Sequence, residues 1–568
     1  MLGTFDRTRS LEALGDTTFD LLVIGGGVTG AGVALDAASR GLRTALVERD
    51  DFASGTSSKS SKLVHGGLRY LQNGDVRLVY EALRERQRLR RNAPHLVRML
   101  PFLIPVFSKD GLINPKVARA LGSAMWMYDL TGGARIGKLH KRLKKAAAVA
   151  HMPTLPEDRL AGAYLYYDAA ADDARLTLAL VRTAALDHGA VVANHAGVVA
   201  LRHDEGGRAV GAVVEADGRR IEVSARAVVN AAGVWSDELR ALDEGGDPEA
   251  IRPAKGIHIT VPWDKVRNDI AVVVPVPKDK RSVFVVPWLP NGDGTFALTY
   301  IGTTDTDYDG PIDDPQCTPE DVDYLLRAIN FSVREPLSPA DVVGTWAGLR
   351  PLVKAATSGR TADLSRRHKV LVSGSGVVTI TGGKLTTYRE MAEDTVEAVL
   401  ERLPDAPRGA RRCRTRNLRV RGADLGDLGD LGHLEDSTRG HLRDRYGSEA
   451  RVVAAMVEAD PSLGAPLVAG LPYLRAEALY AVRHEMARTL DDILARRTRA
   501  RIQARDASAA AASAVATLVG PELGWSTDEQ ARQADAYVAL IDAERVAPGL
   551  PETHLAPGGA PMTTDGTS

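Results

Sequence analysis

Within residues 65–70 the segment "SSKLVHGGLRYLQ" sets a histidine, two adjacent glycines, an arginine and a tyrosine side by side. A glycine pair lets backbone pass close to something flat or charged. Arg69 and Tyr70 add a planar cationic fork and a phenolic hydrogen-bonding group. That is the composition of a binding wall. Upstream, "GGGVTG" at residues 25–30 is followed by Glu48, eighteen positions after Gly30. In such a fingerprint Gly25 makes the tight turn, Gly27 lets backbone amides approach a pyrophosphate, and Gly30 allows close helix-to-strand packing. Glu48 is placed to accept hydrogen bonds from ribose hydroxyls, so the chemistry indicated is the holding of a dinucleotide.

Periodicity supplies the elements that must position these groups. "FDLLVI", residues 19–24, is a short apolar run of buried-strand type; the glycine turn follows, then the small-residue helix "AGVALDAASRG", then a second strand "RTALVE" that ends at Glu48. Phosphates would sit on the helix N-terminus, where unpaired N–H groups and the helix dipole favour negative charge. After Glu48 the chain leaves regular βαβ repetition and enters the polar loop "RDDFASGTSSKSSKLVHGG". A loop of that kind suits a cofactor that stays bound and is wrapped by protein, which favours flavin over nicotinamide. Far downstream, "VVTITGGKLTTYREMAEDTVEAVL" reads as a strand over 377–381, a Gly382-Gly383 turn and a helix, with capping-box spacing at Thr387 and Glu390. A helix N-terminus aimed at a flavin ring would favour negative charge on it, while the segment alone reads equally well as an ordinary strand-turn-helix connection.

The 568-residue length predicts two or three domains with sizeable cores. A formal net charge of −1 argues against a dedicated nucleic-acid binder. Only two cysteines occur, Cys317 and Cys413, which excludes a disulfide framework and thiolate metal clusters and fits a reducing compartment; no metal site is expected. Residues 1–18 carry Arg7 and Arg9 without an apolar stretch, so no secretory signal is read, and no run approaches the roughly 18 apolar residues of a spanning helix. Any membrane contact is expected to be peripheral. Between residues 251 and 305, "GIHITVPW", "IAVVVPVP", "RSVFVVPWLP" and "TFALTYIGTTD" read as an antiparallel sheet. "RAVVNAAGVWSD" is a strand ending in small residues. A linker at 403–419 leads to a mostly helical region at 420–545, and the tail at 546–568, rich in Pro, Gly and Thr, is expected to be disordered.

The combination of "VIGGGVTGAGVALDAASRG", "TSSKSSKLVHGGLRYLQ", "GTWAGLRPLV", "TGGKLTTYREMAE" and "YAVRHEMARTLDDILARRTR" resembles the FAD-dependent glycerol-3-phosphate dehydrogenase family, the quinone-linked, aerobic type of bacteria and mitochondria. The resemblance implies an α/β fold with a discontinuous, glutathione-reductase-like FAD-binding domain of the D-amino-acid-oxidase type at 19–80, 165–250 and 340–402. It also implies an antiparallel-sheet substrate cap with a membrane-facing region at 81–164 and 251–339, a C-terminal helical domain, and an N-terminal arm at 1–18. FAD, held without a covalent link, would oxidise sn-glycerol 3-phosphate to dihydroxyacetone phosphate and pass electrons to membrane quinone. By resemblance, Arg350 and Lys384 lie beside substrate and flavin, and Arg69 and Tyr70 complete the wall. His258, in "KGIHI", is the best titratable candidate to assist proton removal, because an unperturbed His titrates near neutrality. The base stays open, since a neighbouring cation can lower a hydroxyl pKa and make a weak base sufficient. Ser57, Ser58, Lys62 and Leu63 would contact the ribityl and phosphate groups, and His65, Gly66 and Gly67 the isoalloxazine. Gly382, Gly383, Lys384, Leu385 and Thr386 would form the second cofactor turn.

A further stretch, "AMWMYDLTGGARIGKLHKRLKKAAAV", places Met125, Trp126, Met127 and Tyr128 before Arg135, Lys138, Lys141, Arg142, Lys144 and Lys145. Apolar and aromatic groups followed by cations suit an anionic bilayer surface; the same pattern also describes a solvated basic face beside a buried aromatic patch. The expected location is the cytoplasmic face of a bacterial cell membrane, and a homodimer is compatible. Rival readings are a glycerol-3-phosphate oxidase using oxygen, a flavin amine or amino-acid oxidase, and a non-enzymatic flavoprotein scaffold. A scaffold would not need a phosphate clamp of Arg69, Arg350 and Lys384.

Overall fold

The computed structural model describes residues 5–67, 76–107, 122–123, 125–129, 137–246, 248–279, 281–353, 368–426, 431–432, 434–555 and 561–562. A six-stranded sheet lies at the centre of the cofactor-binding part, in the order Lys369–Val372, Val378–Thr381, Val228–Asn230, Leu21–Ile24, Thr44–Val47, Val191–Ala193. All neighbours are parallel except the edge strand Lys369–Val372. The inner strands Leu21–Ile24 and Thr44–Val47 are mostly apolar and fully buried because both faces are covered, whereas the edge strand Lys369–Val372 is largely exposed. Leu21, Val23 and Leu46 pack with helices Val28–Ser39, Asp173–His188 and Tyr388–Leu400. The alternate residues Leu22, Ile24, Ala45 and Val47 pack with a small sheet formed by Thr18–Phe19, Arg219–Ala225, Ala209–Ala216 and Gly197–His203. The N-terminal arm belongs to this layer: helix Arg7–Asp16 buries Leu14 there, and Arg7 donates to Asn194 O at 2.8 Å and His195 O at 2.8 Å.

The second large unit is a ten-stranded sheet. Ile251–Pro262, Phe296–Gly302, Ser282–Pro290 and Ala271–Pro275 form the antiparallel run expected from sequence. The sheet as a whole is mixed, because Ala271–Pro275 continues in parallel into Val97–Phe107, which pairs antiparallel with Leu160–Ala171. Two expected boundaries fall elsewhere. Leu160–Ala171 runs unbroken through residue 165, and Gly344–Val353, expected within the FAD-binding domain, pairs along its length with Ile251–Pro262. Gly344–Val353 is enclosed on both faces: on one, a Cβ on Gly344 would stand 2.3 Å from Ile502 O and one on Gly348 2.5 Å from Lys59 O, and on the other Thr345, Ala347 and Leu349 are buried. A strand buried on both sides shows no alternation by which sequence could assign it to a sheet.

Helices Asp436–Tyr446, Ala450–Ala459, Arg475–Glu485, Ala512–Leu523 and Thr527–Val546 build the C-terminal domain around Leu442, Val453, Leu479, Val519 and Ile541. The tail, expected to be disordered from residue 546, is docked as far as Thr553. Leu550 is buried in the core of the large sheet, and Thr553 N and Oγ1 both donate to Asp506 Oδ2 at 2.8 Å. Arg505 Nη2 also donates to Pro551 O at 3.0 Å, so apolar and polar anchors together hold a Pro- and Gly-rich segment that composition alone marks as loose. Among the described residues no helix is long and apolar enough to cross a membrane.

Candidate functional site

A cavity opens at the carboxyl ends of the parallel strands, the place where ligands bind open α/β sheets. On one wall the turn after Leu21–Ile24 depends on glycine. Gly25 has φ +112°, and a Cβ there would lie 2.6 Å from Ala231 O. A Cβ on Gly30 would lie 1.9 Å from Gly25 O, so the helix rests directly on the turn. Gly27 is the N-cap of Val28–Ser39, and Val28 N donates to Ser57 Oγ at 2.8 Å. Glu48, just past Thr44–Val47, is fixed from below: Oε2 accepts from Gly26 N at 2.6 Å and Oε1 from Asp50 N at 2.9 Å. Burial pushes its carboxyl up to about 7 in spite of those two donors, with the carboxylates of Asp50 and Asp51 adding to the rise.

The facing wall is the second glycine turn. Gly382 and Gly383 have φ of +77° and +80°, and a Cβ on Gly383 would meet Met391 Sδ at 2.3 Å. Lys384 and Leu385 continue this wall, and a 3-10 turn, Leu385–Thr387, leads into helix Tyr388–Leu400. That helix starts where the sequence predicts, but no capping box forms. Arg84 takes the Glu390 carboxylate at 3.0 and 3.1 Å, and Thr387 Oγ1 turns to Lys384 O at 3.4 Å. The two motifs distant in sequence meet at one point, where His65 N donates to Thr386 Oγ1 at 3.2 Å.

The cradle fits FAD: glycines stand where a side chain would fill it, a helix N-terminus is available for the pyrophosphate, and a braced acid for the ribose. Of the expected cofactor residues, Gly25, Gly27, Glu48, Ser57, Gly382, Gly383, Lys384 and Leu385 line the cavity, and Gly30 underlies it. Ser58, Lys62, Leu63, His65, Gly66, Gly67 and Thr386 do not line it. Lys62, at φ +55°, turns inward: Nζ donates to Ser58 O at 3.1 Å, lies 3.4 Å from Asp173 and sits 4.6 Å from the centre of the Trp346 ring. Gly66 is required by protein packing, since a Cβ there would stand 2.5 Å from Leu83 Cδ2 and 2.6 Å from the Tyr128 hydroxyl oxygen. That hydroxyl donates to the buried Asp168, itself paired with the buried Arg86 at 2.5 Å. Sequence reasoning missed this support, and no local pattern signals it. It also missed Ala231, Ala232, Gly233 and Trp235 on the cavity wall. The small residues that end "RAVVNAAGVW" were the available signal.

His258 and Arg350 share one face of the large sheet. His258 is in register with Trp346, and Arg350, four residues further along that strand, with Ala254. His258 is buried, stacks on Trp346 at 4.6 Å, and its Nε2 lies 2.8 Å from Ser61 Oγ. Burial first, then the charges of Lys62 and Arg350, hold its pKa well below the ordinary histidine value, so the imidazole is neutral. The Arg350 guanidinium bonds Asp305 Oδ1 at 3.1 Å, Thr303 Oγ1 at 3.2 Å and Thr304 O at 3.1 Å. Asp305, in "GTTDTD", was not singled out from sequence. Neither His258 nor Arg350 lines the dinucleotide cavity, although Pro351 does. Arg69 and Tyr70 lie outside the described residues.

Comparison with known proteins agrees with this geometry. Residues 20–389 match the family "FAD dependent oxidoreductase", and residues 413–530 match the "C-terminal domain of alpha-glycerophosphate oxidase". Glycerol-3-phosphate dehydrogenase 2 of Mycobacterium tuberculosis is 42% identical over 564 residues, covering 97% of this chain and 93% of that protein. The chain belongs to the FAD-dependent glycerol-3-phosphate dehydrogenase family. The mitochondrial member named as probable in Caenorhabditis elegans is 39% identical over 551 residues, covering 93% of this chain and 73% of that one. Among solved structures, the glycerol-3-phosphate dehydrogenase of Bacillus halodurans in complex with FAD matches with TM-score 0.76 and 31% identity, over 97% of this chain and all of that one. The protein is thus an FAD-dependent oxidoreductase with the D-amino-acid-oxidase type of cofactor fold and a helical C-terminal domain, as the sequence resemblance implied.

Proposed function

We propose that the protein oxidises sn-glycerol 3-phosphate to dihydroxyacetone phosphate and delivers the electrons to a membrane quinone. The observation that carries this reading is the placement of Lys384 on the cofactor wall, together with a sheet face bearing Arg350 and His258. Bound FAD supplies the hydride acceptor. Gly25, Gly27, Val28 and Ser57 would hold its pyrophosphate, and Glu48 its ribose. Lys384 gives the wall a positive charge where negative charge develops. Arg350, braced by Asp305 and the Thr303–Thr304 backbone, keeps its fork rigid for the phosphate dianion, with Arg69 and Tyr70 closing the wall. His258, buried and neutral on the same sheet face as Arg350, is the candidate acceptor for the C2 hydroxyl proton.

The membrane side of the reading rests on one surface. Trp126, Met127 and Leu139 are 56%, 42% and 49% exposed, and Lys138, Lys141, Arg142 and Lys144 beside them in sequence are exposed too. Met125 and Tyr128 are buried, so only part of the expected aromatic group faces outward. Exposed aromatic and cationic groups together suit peripheral docking on anionic lipid, which brings the protein to its quinone. Arg135 lies outside the described residues. The deciding experiment is anaerobic addition of glycerol 3-phosphate to the purified holoenzyme. Bleaching of the flavin band near roughly 450 nm, with recovery on adding a soluble quinone faster than on adding air, is the expected result. No bleaching would reject the substrate, and equal recovery in air would favour an oxidase.

A further inference from the structure

The C-terminal domain reaches the cofactor loop through arginines. A wide helical turn, Asp492–Arg497, directs Arg496 and Arg497 to one buried carboxylate. Arg496 Nε lies 2.6 Å from Asp51 Oδ2, and Arg497 binds the same carboxylate with both terminal nitrogens, at 2.6 and 2.8 Å. Asp51 follows Glu48 by three residues and opens the loop that carries Ser57. At the other end of that loop, Arg499 Nη2 donates to Ser58 O at 2.7 Å and to Asp173 Oδ1 at 2.6 Å. Asp173 in turn accepts from Ser60 N at 3.0 Å and Ser60 Oγ at 2.7 Å, and pairs with Lys62. Asp51 and Asp173 are fully enclosed, and Arg497 and Arg499 nearly so.

We infer that Arg499 is a positioning residue for FAD, and that with Arg496 and Arg497 it makes the C-terminal domain a clasp on the cofactor loop. The loop has few means of its own to hold shape, being polar, rich in serine and without regular structure beyond the 3-10 turn Thr56–Ser58. Its cofactor side presents Ser57 to the helix N-terminus, and its far side presents the Ser58 carbonyl to Arg499. Fixing Ser58 fixes Ser57, one residue away. The next residues extend the effect to the substrate side, because Ser61 Oγ is the partner of His258 Nε2. Neither metal binding nor plain domain docking accounts for these contacts as well. A metal site at Asp51, His195 and Asp492 is excluded by charge, since those carboxylates are already saturated by Arg496, Arg497, Asn194 and backbone N–H donors. An ordinary domain-interface pair would have no need to aim at a main-chain carbonyl inside the cofactor loop.

The test compares Arg499→Ala, Arg499→Lys and Arg483→Ala; the last breaks an exposed pair with Glu522 on the same domain. FAD affinity is measured by titrating apoprotein and following flavin fluorescence quenching, with visible circular dichroism of the bound flavin and amide exchange of residues 55–62. Losing a buried charged donor predicts an FAD Kd weaker by about tenfold or more in Arg499→Ala, an altered flavin dichroism band, and faster exchange in the loop. Arg499→Lys keeps a charge for Asp173 and Ser58 O on a shorter side chain without the rigid planar fork, and so shows a smaller shift in the same direction. Arg483→Ala leaves all three unchanged. If Arg499→Ala does not fold, loop exchange in Arg499→Lys decides. The inference is overturned if the variants lower Tm while FAD affinity, dichroism and loop exchange remain those of the parent protein.

Discussion

FAD should bind Glu48 as a carboxylate, whereas in the free protein burial keeps Glu48 protonated up to about pH 7. The ordinary value of 4.5 holds in the unfolded chain, so the folded apoprotein carries an extra proton between about 4.5 and about 7. Its own stability therefore falls as pH rises through that window and is flat above it. Ribose hydroxyls donate to the carboxylate, so binding opposes that proton and affinity moves the other way, rising with pH and levelling above about 7. Each pH unit below the apparent pKa is worth about 1.4 kcal/mol, which predicts an FAD Kd about tenfold weaker at about pH 6 than at about pH 8. Fluorescence titration of apoprotein at both values measures it. Glu48→Gln removes the titration and leaves a ribose hydroxyl poorly paired, so its Kd should be weaker by about 1–3 kcal/mol at the higher pH and nearly independent of pH. An unchanged Kd across that range in the parent protein, or the same slope in Glu48→Gln, would refute the reasoning.

Three other expectations come from the same geometry. In Gly30→Ala the new Cβ would stand 1.9 Å from a backbone oxygen, which cannot swing away, so Tm should fall by an amount equivalent to about 1–3 kcal/mol or more and FAD content should drop below one per chain; parental values for both would contradict the packing. Arg350→Lys cannot reproduce the fork that bonds Asp305, Thr303 and Thr304, so it should lose nearly as much kcat/KM as Arg350→Ala, about 2–5 kcal/mol, with plain glycerol losing proportionally less than glycerol 3-phosphate. Equal proportional losses would place Arg350 at the reacting carbon instead of the phosphate. Replacing Trp126, Lys141 and Arg142 with Ser should release the protein from anionic vesicles, at about 1 kcal/mol per cation, while activity with a soluble dye acceptor survives; unchanged sedimentation at low salt would move the docking face elsewhere.

Local chemistry made the dinucleotide half of the site legible. Gly25, Gly27 and Gly30 are spaced by what a turn and a helix start require within six residues, and Glu48 ends the next strand; both constraints act over short distances in the chain. Gly25 and Gly27 of one glycine turn and Gly382 and Gly383 of the other line the same cavity. Lys62 and Gly66 were less legible. Each sits in a stretch whose composition announces a binding wall, yet Lys62 points to Asp173 and Gly66 is closed in by Leu83 and Tyr128. Which way a loop residue faces depends on partners more than a hundred positions away in the case of Asp173, and no local pattern encodes them.

By itself the sequence determined the class of fold, the cofactor and the glycines and acid that line the cavity at the ends of the parallel strands, because glycine conformations, helix N-termini and strand-end acids are properties of short segments. The tertiary structure decided what surrounds them. It put Gly344–Val353 into the large sheet, drew the charge of Lys62 and Arg350 onto a buried and neutral His258, and tied Asp51 and Ser58 to arginines near residue 500. The physical reason is that burial and charge pairing depend on distance in space. A carboxylate at residue 51 and an arginine at residue 497 share one hydrogen-bonded pair only after every intervening element has packed.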